Sequence, residues 1–487
     1  MSFSTRLAPL IALTALTACA PQMTEMPGSV PAPAATGFPA TAPTVGPAQS
    51  LSLTTPTRRV LPNGLEVLYI RHGGVPMVQA TLLTRGGLSD DPSGLPGLAS
   101  FTAEMLDEGA AGRGSLELAA ALEALGASLR TGAAWDGAQV NLQVLRSRLP
   151  QALGLMADVT YRPDFPEAEV QRIRDERLTE LNRGRDEARV IAGNAFTSLL
   201  YGSNHPYGRL ATTESTRRID RAALEAFHRS HYRPAGATLL LVGDVDESLH
   251  SVVEQAFGGW AGDAVPTVTS PGHPATAATR IYLVDRPGAA QSEIRIGHPA
   301  VARDNPDFFP LQVLNTLLGG SFTSRLNQNL RETHGYTYGA GSSFAMRRGA
   351  GPFTASSAVV TAKTDSSVIE FFNELNLIRD QAVPVDELER AKQYIALGLP
   401  QSFETSAQVA SRMAELSLYG LPMDYYNSYV QRVMAVTAAD VQRVANEYIR
   451  PDRAVIVIVG DRATIEAGLR ALPVGELEIR ELDEFVR

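Results

Sequence analysis

The sequence predicts an α+β fold made of two copies of one domain, and three observations predict it. Short alternating strands with hairpin signals are interleaved with amphipathic helical stretches along most of the chain, a mixture that packs as sheets covered by helices. Landmarks of the first half recur in the second at one fixed offset. The chain is also long enough, at 487 residues with 44% hydrophobic and 20% charged, to bury a core in each copy. Its formal charge of −9 comes without runs of lysine or arginine, which argues against a nucleic-acid partner.

The N-terminus reads as an export leader, residues 1–19. Arg6 gives a weak positive start, and Leu7–Ala18 is apolar but too short to span a bilayer. Leu16-Thr17-Ala18-Cys19 resembles a bacterial lipobox, in which the leader is cleaved before the cysteine and the thiol takes a lipid. Cys19 is the only cysteine, so no internal disulfide or thiolate cluster is expected. Ala20 stands where aspartate would signal inner-membrane retention, so the resemblance implies a lipid-anchored protein of the outer membrane facing the periplasm. Residues 20–55 are rich in Pro, Ala, Thr, Ser and Gly and predict a disordered tether.

Folded structure is expected from about residue 56. Pro62-Asn63-Gly64 between apolar runs signals a hairpin, and a strand over Val78–Thr84 follows. Gly94–Glu108 predicts a helix, and Leu116–Leu125 a second one stopped by Gly126. The repeat then shows itself. Arg450-Pro451 lies 217 residues after Arg233-Pro234, and Gly460-Asp461 lies the same distance after Gly243-Asp244. Apolar strands, Leu239–Val242 and Val455–Val459, join each pair of landmarks. Ile219, Leu224 and Phe227 match Val436, Val441 and Val444 in the same register. A helix–strand–Gly-Asp–helix unit kept in register marks a duplication. The copies are expected at 56–260 and 279–487, with a Pro/Thr/Ala-rich linker over 261–278.

The order of landmarks resembles the pitrilysin/insulinase family of zinc peptidases, from about Pro56 to the C-terminus. That resemblance implies α/β-sandwich domains forming half of a clamshell chamber. Active members carry His-x-x-Glu-His on the first long helix, two histidines for zinc and a glutamate base. Here Gly97-Leu98-Ala99 leads instead into Ser100, Ala103 and Glu104 at those positions. Serine is a poor zinc ligand and Ala103 cannot take a proton. Glu180, where the family places its third ligand, is expected as a solvated helix residue or a relic, because carboxylates without imidazole hold catalytic zinc poorly. No metal or other cofactor is expected in this chain. His228 and His231, three apart on a predicted helix, lack a third ligand and are expected to pack.

The second half keeps what the first has lost. Leu317–Leu326, then Leu330-Arg331-Glu332 and Gly335-Tyr336-Thr337-Tyr338, closely resembles the family's C-terminal signature, in which an arginine and a tyrosine seven residues later reach the substrate. Arg331 and Tyr338 match that spacing. An arginine fork suits a carbonyl or carboxylate, and a phenol can donate to an oxyanion. Tyr336 would share a face with Tyr338 if both lay in one regular strand. The resemblance implies the substrate-binding, non-catalytic subunit of a two-chain zinc peptidase whose homologous partner supplies zinc on its own His-x-x-Glu-His, acting on peptides. The alternative is a pseudopeptidase that binds or scaffolds without cutting. An independently active peptidase is disfavoured by Ser100, Ala103 and Glu104.

Overall fold

A computed structural model describes residues 46–263, 272 and 277–486. The leader, Cys19, the tether up to residue 45 and most of the 261–278 linker lie outside the described residues. Residues 46–55 have no regular secondary structure, yet Ala48, Leu51 and Leu53 rest against the core of the second half, and the Leu53 amide donates to Asn427 Oδ1 at 2.9 Å.

The first half has strands β1 (Thr57–Val60), β2 (Glu66–Arg71), β3 (Met77–Thr84), the short pair β4 (Gly109–Ala110) and β5 (Arg113–Gly114), then β6 (Ser128–Ala133), β7 (Ala138–Leu145) and β8 (Thr238–Gly243). Six of them form one sheet in the order β1-β2-β8-β3-β7-β6. The expected hairpin joins β1 to β2, with Gly64 at φ 89°, a left-handed turn that glycine adopts without steric cost. Helices α1 (Leu98–Met105), α2 (Ser115–Ala124) and α3 (Leu149–Tyr161) follow the strands, then the long α4 (Glu167–Gly184) and α5 (Ala188–Tyr201). The helix predicted over 94–108 is shorter than its apolar pattern, because Gly97 caps it at φ 95° and turns fill 94–97.

The second half has β9 (Arg280–Asp285), β10 (Gln291–Pro299), β11 (Thr337–Phe344), β12 (Pro352–Val360), β13 (Val455–Gly460) and β14 (Glu476–Arg480). Its sheet runs β11-β12-β10-β13-β9-β14, so five strands repeat the first sheet: β2, β8, β3, β7 and β6 answer to β9, β13, β10, β12 and β11. The pairing senses agree as well. β2 and β8 are parallel, as are β9 and β13, and the remaining shared pairs are antiparallel. The outer strands differ, since β1 runs antiparallel to β2 whereas β14 runs parallel to β9.

β8 and β13 are buried along their whole length, which explains why both read as unbroken apolar runs rather than alternating ones. Their second faces are covered by an exchange. Ile191, Ala192, Ala195 and Phe196 of α5, from the first half, pack against Val455, Val457 and Val459 of β13. The helix Ser406–Tyr419, from the second half, lies on β3 and β8, with Val409, Ala410 and Met413 in one cluster with Leu240 and Val242. Both helices have 14 residues and begin 218 positions apart, so the exchange is part of the duplication. Each fully buried aliphatic or aromatic side chain contributes roughly 1.5–3 kcal/mol. A buried carboxylate reinforces the junction: Asp136 accepts from the Tyr419 hydroxyl at 3.1 Å, the Arg348 amide at 2.8 Å and the Tyr207 hydroxyl at 3.3 Å.

Candidate functional site

Two cavities, on either side of the first turn of α5, hold the residues singled out by sequence. The first, of about 370 Å³, is lined by Ser100 and Glu104 from α1, Arg177 and Glu180 from α4, and Val190 and Asn194 from α5. The sheet-facing side of α1 is apolar, with Leu98, Ala99, Phe101, Ala103 and Met105 buried, which leaves Ser100 and Glu104 toward the cavity. Asp91 fixes the start of this helix by accepting from the Gly97 and Ala99 amides, both at 2.7 Å. Burial pushes its pKa up to about 6, against the lowering effect of those two amides and of Arg177.

Arg177 occupies the position between the altered motif residues. Its guanidinium donates to Ser100 Oγ at 2.7 Å and to the Gly97 carbonyl at 3.3 Å, pairs with Glu104 at 2.7 Å and lies over the Phe101 ring. A fixed cation thus uses the serine and carboxylate that stand where zinc ligands would be. The buried Ala103 has no group to take a proton from water. Glu180 is largely exposed and paired with Arg183 on its own helix at 3.3 Å. These donors do not suit zinc: one hydroxyl and two carboxylates, each already paired with an arginine, with no imidazole among them. Sequence reading missed Arg177. Its signal was present, since it precedes Glu180 by three residues and so shares a helical face with it.

The second cavity, of about 590 Å³, is lined by Arg331, Tyr338 and Phe322 together with Arg189, Glu293 and Arg295. Arg331 sits in a π-helical segment, Gln328–Thr333, anchored by the buried Leu330. Its guanidinium lies 4.6 Å from the centre of the Phe322 ring, with Glu332 as a neighbour at 3.4 Å. Phe322 is brought there by the loop after Gly319, whose close approach to β11 leaves no room for a side chain: a Cβ would fall 2.2 Å from the Ser342 nitrogen.

Tyr338 is 90% exposed because β11 bulges at that point. Thr337 pairs with Val359 and Ala340 with Ser357, so Tyr338 and Gly339 together oppose Ala358 alone. Thr337 Oγ1 holds the bulge by donating to the Ala358 carbonyl at 2.7 Å and accepting from the Gly339 amide at 3.0 Å. The expectation that Tyr336 and Tyr338 share a face therefore fails. Tyr336 precedes the strand, stacks on His334 and packs on the core, while the bulge turns Tyr338 outward. The cavity thus gathers hydrogen-bond donors of two kinds, a phenol and guanidinium forks, beside the outer edge of a sheet.

Other candidates pack. His228 is buried, with Nε2 2.8 Å from the Thr160 carbonyl, and burial pulls its pKa down. His231 stacks on Phe227. No helix among the described residues is long and apolar enough to cross a membrane.

Comparison with known proteins agrees with this fold. Residues 66–212 match the family described as insulinase (peptidase family M16), and residues 218–395 match the peptidase M16 inactive domain. A Mycobacterium tuberculosis protein named as an uncharacterized zinc protease is 26% identical over 434 residues, covering 88% of this chain and 98% of its own. A Streptomyces coelicolor protein with the same kind of name is 24% identical over 420 residues, covering 84% and 91%. Among solved structures, a peptidase M16 inactive domain from Pseudomonas fluorescens superposes with a TM-score of 0.79 and 26% identity, covering 83% of this chain and 98% of that one. A Helicobacter pylori protease shares the fold at a TM-score of 0.74 and 20% identity, covering 84% and 100%.

Proposed function

This chain belongs to the insulinase family of peptidases, and on that premise we propose that it is the non-catalytic, substrate-binding subunit of a two-chain zinc peptidase that processes peptides in the periplasm. The observation that carries the reading is Arg177, seated between Ser100 and Glu104 where a metal would need its ligands. The open cavity with Arg331 and the exposed Tyr338 supports it from the other side. A scaffold has no need of donors presented to a cavity, whereas a peptide carbonyl under attack does.

In this reading a homologous partner carrying His-x-x-Glu-His brings the metal and the base. This chain's own contribution is binding and electrostatics. Arg331 holds a substrate carbonyl with its fork, and the Tyr338 hydroxyl donates to the oxyanion as charge develops on it. An unfolded peptide is held by adding it to a sheet edge, and β11 is the outer strand beside these residues. Lipid on Cys19 anchors the chain to the outer membrane.

The test is affinity purification of this protein from its native membranes, with mass spectrometry of the co-purifying chains. Near-equimolar recovery of a similar-sized chain bearing His-x-x-Glu-His is expected. Recovery of this chain alone, or only with unrelated envelope proteins, would replace the reading with that of a pseudopeptidase.

A further inference from the structure

The cavity beside Tyr338 carries more positive charge than Arg331 alone provides. Arg189, from the first turn of α5, and Arg295, from β10, line it too, against one carboxylate, Glu293. Two arginines elsewhere in the second half meet carboxylates: Arg303 donates to Glu415 at 2.9 Å, and Arg325 makes two bonds of 2.8 Å to Glu387. In the cavity Arg331 has Glu332 at 3.4 Å, whereas Arg189 and Arg295 pair with no carboxylate among the described residues. The Arg295 Nη2 reaches only the Arg189 carbonyl at 3.4 Å, and its Nε is buried without a hydrogen-bond partner. The exposed Arg189 side chain forms no ion pair among the described residues. Burial pulls the Arg295 pKa down, Glu293 offsets this in part, and the Arg189 charge adds to the lowering.

Like charges gathered in a half-enclosed cavity repel each other and lose hydration, a cost that a bound anion removes. The forks of guanidinium groups match the two oxygens of a carboxylate. We propose that Arg189 and Arg295 form, beside Arg331, a subsite for a carboxylate borne by a peptide. The cavity then selects peptides with acidic side chains or a free C-terminus. This subsite rests on the peptide-holding role proposed above and names its substrate class. Because the Tyr338–Gly341 stretch of β11 borders the same cavity, a peptide added to that edge brings a neighbouring carboxylate within the cavity's reach.

The experiment measures binding of a short unstructured peptide to the purified chain by fluorescence anisotropy. Four versions of the peptide are used: with Glu or Gln side chains, each with a free or an amidated C-terminus. The chain is expected to favour the charged versions, less so as salt rises. Arg189→Gln and Arg295→Gln should each weaken charged peptides about tenfold and leave the fully neutral one unchanged. Arg295→Lys, which retains charge at the half-buried site, should recover part of the loss and guards against misfolding of the glutamine variant. A preference that follows the Glu side chains assigns the subsite to an acidic residue, and one that follows the terminus assigns it to the C-terminal carboxylate. Equal binding of all four peptides overturns the subsite alone. Failure of every peptide to bind overturns the subsite and the peptide-holding role together.

Discussion

The first half ties up the polar groups of α1 with Arg177, whereas the second leaves Tyr338 exposed in the cavity beside β11, and the two halves are built on five equivalent strands. In the first half, Phe101 and Met105 face the core while Ser100 and Glu104 line the cavity. Chemistry can therefore be lost from one side of the helix without disturbing the other. In the second half, the bulge at Tyr338 gives up a ladder pairing and turns the side chain outward. Duplication supplied two equivalent frames, and the two cavities differ in the residues that line them and in the irregularity of the sheet edge.

The largest expected effect probes the reciprocity of the halves. Phe196→Ala, on α5 against the second sheet, should cost about 3–5 kcal/mol of stability, and Met413→Ala, on the helix lent in return, about 2–5 kcal/mol. Chemical denaturation measures both, and a large loss at only one site would show the exchange to be one-sided. Next comes the half that carries Arg331 and Tyr338. In the assembled pair, Tyr338→Phe or Arg331→Ala should lower kcat by roughly 10²–10³-fold. Unchanged kinetics would reduce both residues to packing.

The Asp91 carboxyl tests the start of α1. Its pKa in the fold, about 6, lies above the ordinary 3.8, so the folded state holds the proton more tightly than the unfolded chain. This stabilisation is complete below pH 3.8 and is lost as pH rises through 6, a change of about 2–3 kcal/mol. Thermal melts of Asp91→Asn should lack that decline, although the amide gives up one of the two backbone bonds. The smallest effect is expected at Arg177. Its partner Glu104 is half exposed, but Arg177 is mostly buried and also bonds Ser100 and the Gly97 carbonyl, so Arg177→Met should cost about 1–2 kcal/mol and leave the turnover of the pair unchanged. A fall in turnover would give the first half a direct part in the reaction.

The duplication, the hairpin at Asn63-Gly64 and the buried strands β8 and β13 were legible in the sequence, because periodicity and turn chemistry act locally. The family resemblance put Ser100, Glu104 and Glu180 at ligand positions, and the fold brings the three around one cavity. The helix exchange was not legible. The apolar face of α5 does not say which sheet it covers, and only the fold shows that it crosses to the other half. Nor was the bulge, since Thr337-Tyr338-Gly339 reads as a regular strand until Thr337 Oγ1 is seen to bond across it. Arg189 and Arg295 lie 106 positions apart and meet only through that same crossing of α5.

In the proposed pair, the first half of this chain holds no metal while the second meets the substrate. The most direct measurement is the zinc content of the dialysed, purified chain, read beside its hydrolysis of a quenched fluorescent peptide. On that division of labour, no stoichiometric zinc and no hydrolysis are expected until a partner bearing His-x-x-Glu-His is added. Full zinc occupancy with turnover by this chain alone would contradict it.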